Sequence, residues 1–318
     1  MSEGIFDPGI YRQTGGFMGL PVRYTLEDTR LAVLGMPFDC GVHPTRVGSR
    51  QGPAAIREQS GLVRPFQPPH ADFNPFAELG AIDCGDAVCS PGRPEPSFET
   101  MEEAVYRLAS RGVATLTMGG DGTVTLPQLR AWKRVVPDLC VLHIDAHTDS
   151  YPVTGQERVT TATTFTLAAE EGLIDAAHTL HIGARGPTYM GGVFEHTRGL
   201  GYELIPDADM RRQGLLATME HAKARLAGRK VYLCWDMDVF DPSCAPGVCT
   251  PTWGGITAGE GLAMLQSLAG LDVVAFDVNT ISPPHDVGGM SAYLAGCVML
   301  EGATLIARRP GGSRFASS

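Results

Sequence analysis

Positive charge is what this sequence has little of. Its 318 residues carry 25 Lys and Arg against 35 Asp and Glu, a formal net charge of −10. Proteins that grip phosphate backbones need clustered Lys and Arg, so nucleic acid is not expected as a partner. No run of like charges marks an interaction tail. The eight cysteines, Cys40, Cys84, Cys89, Cys140, Cys234, Cys244, Cys249 and Cys297, include no C-x-x-C pair and are spread along the chain. That spread excludes a compact disulfide framework and suits a reducing compartment such as the cytoplasm. Cys140 and Cys234 fall inside apolar runs, where a thiol behaves as a small apolar side chain. No apolar run approaches the roughly eighteen residues of a membrane span, so no membrane is expected as a partner. The opening MSEGIFDPGIYRQ lacks the basic start and apolar block of a secretory signal. Internal repeats and low-complexity linkers are missing too.

What is present is a regular alternation. Near-continuous apolar runs of strand length recur at 31–37, 79–85, 113–118, 139–145, 179–184, 230–236 and 271–278. Runs of this kind suit strands covered on both faces, as in a parallel sheet. Helical patterns lie between them, over 52–60, 97–112, 125–135, 162–172, 214–228 and 257–270, with a closing helix over 288–309. In the second of these, Met101, Val105, Leu108 and Ala109 repeat at helical spacing and Gly112 supplies a stop. The Pro-rich stretch 64–76 reads as a surface loop, and 309–318 as a loose tail. Together they argue for one α/β domain over 1–318, doubly wound in three layers, with a mainly parallel sheet and helices on both faces. In such folds ligands sit at the carboxyl ends of strands, so chemistry is expected there.

Three strand ends are chemically loaded. MGGDGTVTLP (118–127) places a Gly-rich turn between strand and helix, a pattern shared with phosphate-binding loops and similar to the nucleotide loop of NAD kinases and diacylglycerol kinases. HIDAHTDSY (143–151) spaces Asp145, His147 and Asp149 by two. In extended backbone, side chains at i, i+2 and i+4 point the same way, and two carboxylates with an imidazole suit a divalent cation such as Mn, Ni or Zn. A solvated polar loop is the plainer alternative. His143 has the same parity but lies deeper, and reads as a hydrogen-bonded core histidine rather than a ligand. CWDMDVFDP (234–242) repeats the spacing with Asp236 and Asp238, while Asp241 and Pro242 read as a turn.

The two Asp-rich motifs, together with FDCGVHPTRVGSRQGPAAIRE (38–58), HIGARG (181–186) and DPSCAPGVCTP (241–251), resemble the ureohydrolase family, which includes arginase and agmatinase. The likeness spans nearly the whole chain and displaces the kinase reading of GGDGT. It implies two divalent metals that lower the pKa of a shared water for attack on a guanidinium carbon. One metal would be held by the equivalents of Asp145, Asp149 and Asp236 with a histidine that ends the GGD loop. Gly122 stands at that position. The other would use Asp145, His147, Asp236 and Asp238, all present.

Two more departures follow from the resemblance. TTATTF (160–165) places Thr161 where the family carries a proton-moving histidine, and a threonine does not titrate near neutral pH. FDVNTISPP (276–284) places Thr280 where a glutamate holds the guanidinium. Cys249 replaces a glycine. His43 and His285 are the nearest histidines that could stand in for the missing ligand.

Gly122, Thr161 and Thr280 together suggest a degenerate site. Heteromeric members of the family exist, and the pattern resembles the degenerate subunit of a biguanide-cleaving one, metformin hydrolase, built from two related chains. The leading expectation is a supporting subunit, without catalytic residues of its own, of a metal-dependent amidine or guanidine C–N hydrolase. It would bind one Ni or Mn ion per chain or fewer, beside a homologous intact subunit. The alternative is an active agmatinase-like homo-oligomer that hydrolyses a guanidino compound with one metal or an altered site. A structural α/β protein without metal is a third class. Four carboxylates converging within roughly 4–6 Å would repel, and a bound cation removes that cost.

Overall fold

The computed structural model describes residues 4–40, 45–154 and 158–310. Among these, nine strands form one sheet: β1 (Tyr11–Arg12), β2 (Leu31–Met36), β3 (Ile82–Ala87), β4 (Ala114–Gly119), β5 (Cys140–Ile144), β6 (Leu180–Ile182), β7 (Glu203–Ile205), β8 (Lys230–Asp236) and β9 (Asp272–Asn279). The spatial order is β1-β3-β2-β4-β9-β8-β5-β6-β7. Every pairing is parallel except β1 against β3. Seven of the nine strands coincide with apolar runs in the sequence. The other two, β1 and β7, are short edge strands of two and three residues. Edge strands need little apolar length because one side pairs with nothing.

Strands β2 to β5 are buried along their whole length. The core runs through the sheet and includes Trp132, Trp235, Tyr232 and Phe276. The closing helix, Met290–Ala307, is long and apolar enough to cross a membrane by composition alone, yet it is mostly buried inside the fold. Phe276 of β9 packs within 2.7 Å of where a side chain at Gly302 would begin, so that glycine lets this helix lie close on the sheet. Three helices did not stand out as periodic patterns: Pro75–Glu78, Val193–Gly199 and Asp207–Gln213. All are seven residues or shorter, too short to show a helical repeat. The first overlaps the Pro-rich stretch, and Asn74 caps it by accepting from the Phe76 and Ala77 amides.

The chain leaves β4 and re-enters the sheet at β5, with β9 and β8 filling the gap between them. The connections therefore diverge above these four strands and leave a crevice at their carboxyl ends. Register sets Asp236 of β8 beside Asn279 of β9, and Ile144 of β5 beside Trp235. All three loaded strand ends, and Thr280 just past β9, thus open at one level.

Candidate metal centre

The GGD turn is a structural clasp. Gly120 N donates to Met36 O at 2.7 Å and Asp121 N to Phe38 O at 3.1 Å. A Cβ on Gly120 would fall 1.5 Å from Phe38 O, so only glycine fits there. The Asp121 carboxylate accepts from Thr123 N at 3.1 Å and Cys40 N at 2.7 Å. Amides consumed in this way cannot cradle a phosphate, which removes the physical basis of the nucleotide-loop reading. Burial pushes the Asp121 carboxyl up to about 6.

Beyond β5 the backbone is not extended. Asp149 has φ +46°, a left-handed conformation uncommon outside glycine. Asp145, His147 and Asp149 therefore converge through a bent loop, not through the extended alternation expected from their spacing. Asp236 and Asp238 meet through a 3-10 turn at Met237–Val239, in which Asp236 Oδ1 accepts the Asp238 amide at 2.7 Å. The residues do come together, but turns bring them together.

Nδ1 of His147 lies 3.1 Å from Asp238 Oδ2 and 3.4 Å from Asp145 Oδ1. Ligand atoms of Asp145, His147 and Asp238 fall within 4.8 Å of one another, and those of His143, Asp145 and Asp149 form a second such group. Asp236 lines the same cavity, with one oxygen accepting from the Thr280 hydroxyl. His143 is buried, with Nδ1 2.9 Å from His181 Nδ1 and Nε2 2.9 Å from Asp145 Oδ2. It is buried and hydrogen-bonded, and it also steadies Asp145 from below. Asp145 Oδ2 nonetheless receives no well-aligned hydrogen bond among the described residues.

The electrostatics fit a cation. Burial and the charges of Asp238 and Asp145 push the Asp236 carboxyl well above its usual range, and burial with Asp145 raises Asp149 in the same way. Burial and Asp145 push Asp238 up to about 6. Burial works against charge on Asp145 as well, but His143 and His147 hold that carboxyl well below its usual range. Burial alone would lower His147; the Asp238 charge and the hydrogen bond to Asp145 override it and raise the imidazole well above its usual value. Four buried carboxylates and one imidazole make a donor set that a divalent cation would satisfy.

The altered positions are packed into this centre. A Cβ on Gly122 would lie 2.7 Å from Thr161 Cγ2 and 2.9 Å from Asp149 Oδ2, so the space before Gly122 is already filled. Thr280, a β-branched residue at φ +69°, is held there by its amide on Gly120 O at 2.7 Å, by Cys249 N on its own carbonyl at 3.1 Å, and by Asp236. Such a conformation persists only where surrounding contacts impose it. Cys249 is buried and lines the cavity. His285 bonds Ser282 Oγ at 2.9 Å and is not among the cavity's described lining residues. His43 lies outside the described residues. Asp241 sets a turn, accepting from the amides of Ser243, Gly254 and Gly255.

Above the carboxylates lies a cavity of about 250 Å³. Tyr151 and Tyr189 stack at its wall, centroids 4.9 Å apart and 21° between planes, and Arg46 reaches it while donating to the carbonyls of Pro246 and Val248. Spacing did not single out these tyrosines: Tyr151 closes HIDAHTDSY (143–151) and Tyr189 lies 38 residues further on, so their stacking exists only after folding.

A doubly wound sheet with a carboxylate cluster at its switch point is an arrangement that suits a divalent cation. The arginase-family sequence profile matches residues 29–304, and the chain belongs to that family. Human guanidino acid hydrolase, mitochondrial, is 31% identical over 284 residues, covering 89% of this chain and 80% of that protein. The solved proclavaminate amidino hydrolase of Streptomyces clavuligerus superposes with TM-score 0.85 at 32% identity, covering 95% of this chain and 99% of that one. A Trypanosoma cruzi formiminoglutamase variant solved with Mn2+ gives TM-score 0.81 at 26% identity, covering 90% and 96%. The three-layer fold expected from the sequence is the fold these relatives share.

Proposed function

We propose that the chain is a C–N hydrolase of a small guanidino compound and that its centre takes one divalent cation. Asp145, His147, Asp236 and Asp238 would hold the ion. The observation that carries this reading is the meeting of His147 Nδ1 with Asp145 and Asp238 in a buried cluster of carboxylates. A bound cation would supply Lewis acidity that makes water a stronger nucleophile. The protein's own share is to bind and orient. The acidic floor, with Asp121, Asp149, Asp236 and Asp238, attracts a cationic amidine group, and the Tyr151–Tyr189 stack offers a flat wall. Mn and Ni both accept this donor set.

A specific observation favours a second reading. Gly122, Thr161 and Thr280 remove the family's extra ligand, its proton carrier and its substrate carboxylate, and all three are locked by packing or hydrogen bonds. In that reading the chain supports a homologous intact subunit in a hetero-oligomer that cleaves a guanidino or biguanide substrate.

The test is hydrolysis by the pure chain, loaded with Mn or Ni, against a panel of guanidines and biguanides. The same assay is then run after co-expression with a family member that keeps a histidine at the Gly122 position. Turnover by the pure chain supports the first reading. Activity only after co-expression supports the second. No bound cation and no activity in either format contradicts both.

A further inference from the structure

His147 offers two ring nitrogens, and only one can face the cation. Nδ1 points at Asp145 and Asp238; Nε2 lies 3.2 Å from Thr252 Oγ1. We infer that Thr252, fastened by Arg185, is a positioning residue that fixes which nitrogen of His147 binds the metal. This rests on the single-cation centre proposed above.

With Nε2–H donating to the Thr252 hydroxyl, Nδ1, the nitrogen that faces the carboxylates, is the one left to give up its proton and offer a lone pair to a cation. Hydrogen bonding at the far nitrogen sets both tautomer and ring orientation of a ligating histidine. Thr252 is itself firmly seated. Arg185 Nη2 donates to Thr252 O at 2.7 Å and to Asp238 O at 2.9 Å, and Arg185 Nε donates to Trp253 O at 3.3 Å. Arg185 N donates to Ala146 O at 2.8 Å. One guanidinium therefore ties the segment that carries Thr252 to the turn that carries Asp238, and its backbone holds the loop that carries His147.

Two glycines make room for this clasp. A Cβ on Gly186 would fall 2.4 Å from Thr252 Cγ2, and one on Gly255 would fall 2.5 Å from Arg185 Nη2. No other polar side chain contacts His147 Nε2 among the described hydrogen bonds. Thr252 is not one of the cavity's described lining residues, so its action runs through His147 and not through substrate.

The experiment measures Mn2+ affinity from the electron paramagnetic resonance of free Mn2+, on the full chain and on Thr252→Val and Thr252→Ser. Valine keeps the shape and loses the acceptor; serine keeps the acceptor. Thr252→Val is expected to bind Mn2+ about 10–100-fold more weakly, with Thr252→Ser returning to within about threefold of the parent. The melting temperature of each metal-free variant should match the parent, which separates positioning from folding. Parent-like affinity in Thr252→Val overturns the inference. Equal weakening in both variants also overturns it, because the hydroxyl is then not the active feature. No Mn2+ binding by the parent chain contradicts the centre itself, a result distinct from either.

Discussion

At the scale of single residues, the centre is a set of groups whose charges conflict until a cation arrives. Without metal, His147 keeps its proton because Asp238 and Asp145 face it, and Asp236, Asp149 and Asp238 resist ionisation because they are buried beside other carboxylates. Metal ligands must be deprotonated, so binding displaces these protons. Calorimetry at neutral pH in buffers of different ionisation enthalpy should show net proton release as Mn2+ binds. Apparent affinity should rise with pH. The metal-free chain should show the opposite trend in stability. A group whose pKa is raised by folding contributes stability below its unfolded pKa and loses it as pH rises through the folded value. Asp238, ordinarily near 3.8 and raised to about 6, therefore costs stability across that window, and His147 does so above its ordinary 6.5. The melting temperature of the metal-free protein should fall as pH climbs from about 4 upward. A bound cation should flatten that slope. A flat profile for the metal-free protein would contradict this picture of the carboxylates.

At the scale of elements, two short turns interlock around Gly122 and Thr161. The 3-10 turn Gly122–Val124 follows β4, and the 3-10 turn Thr161–Thr163 lies against it, with Thr164 Oγ1 donating to Gly122 O at 3.3 Å. Thr161 Cγ2 and Asp149 Oδ2 occupy the space a side chain at 122 needs. Gly122→His alone should therefore destabilise by roughly 1–3 kcal/mol through overpacking, without gaining a second cation. Gly122→His with Thr161→Gly should recover most of that loss, as chemical denaturation of the four proteins in the cycle would show. Additive effects of the two substitutions would mean that the turns are not coupled.

The same elements show how much could be read from sequence. Near-continuous apolar runs located seven strands because a doubly covered strand needs that composition. Edge strands β1 and β7 carry too few residues to leave such a signal. The D-x-H-x-D and D-x-D spacings pointed to residues that do meet in one cluster, but the extended geometry inferred from them is wrong. Side-chain parity cannot report a backbone that turns at Asp149, φ +46°, or a 3-10 turn after Asp236. Thr252 left no signal, because it stands 105 residues from His147 and the pairing exists only after folding, and Arg185 stood out only as part of HIGARG (181–186), without a role.

At the scale of the whole molecule, the sheet order makes the chemistry possible. Four central strands, β4, β9, β8 and β5, deliver the GGD clasp, Thr280, the D-x-D turn and the D-x-H-x-D loop to one crevice. The acidic surplus of the chain is consistent with what that crevice gathers, a cluster of buried carboxylates that a cation and a cationic amidine would neutralise. Anything that binds the folded state alone stabilises it, so Mn2+ or Ni2+ in excess should raise the melting temperature. Asp238→Asn, which removes one charge beside His147, should abolish most of that rise.

The central claim is a centre built for one cation, and elemental mass spectrometry of the pure chain, produced with Mn and Ni supplied, tests it most directly. One ion per chain, lost in Asp238→Asn, is the expected result. Two ions per chain would contradict it, since some other side chain would then be filling the place left by Gly122; none would mean that the carboxylates settle their repulsion with protons alone.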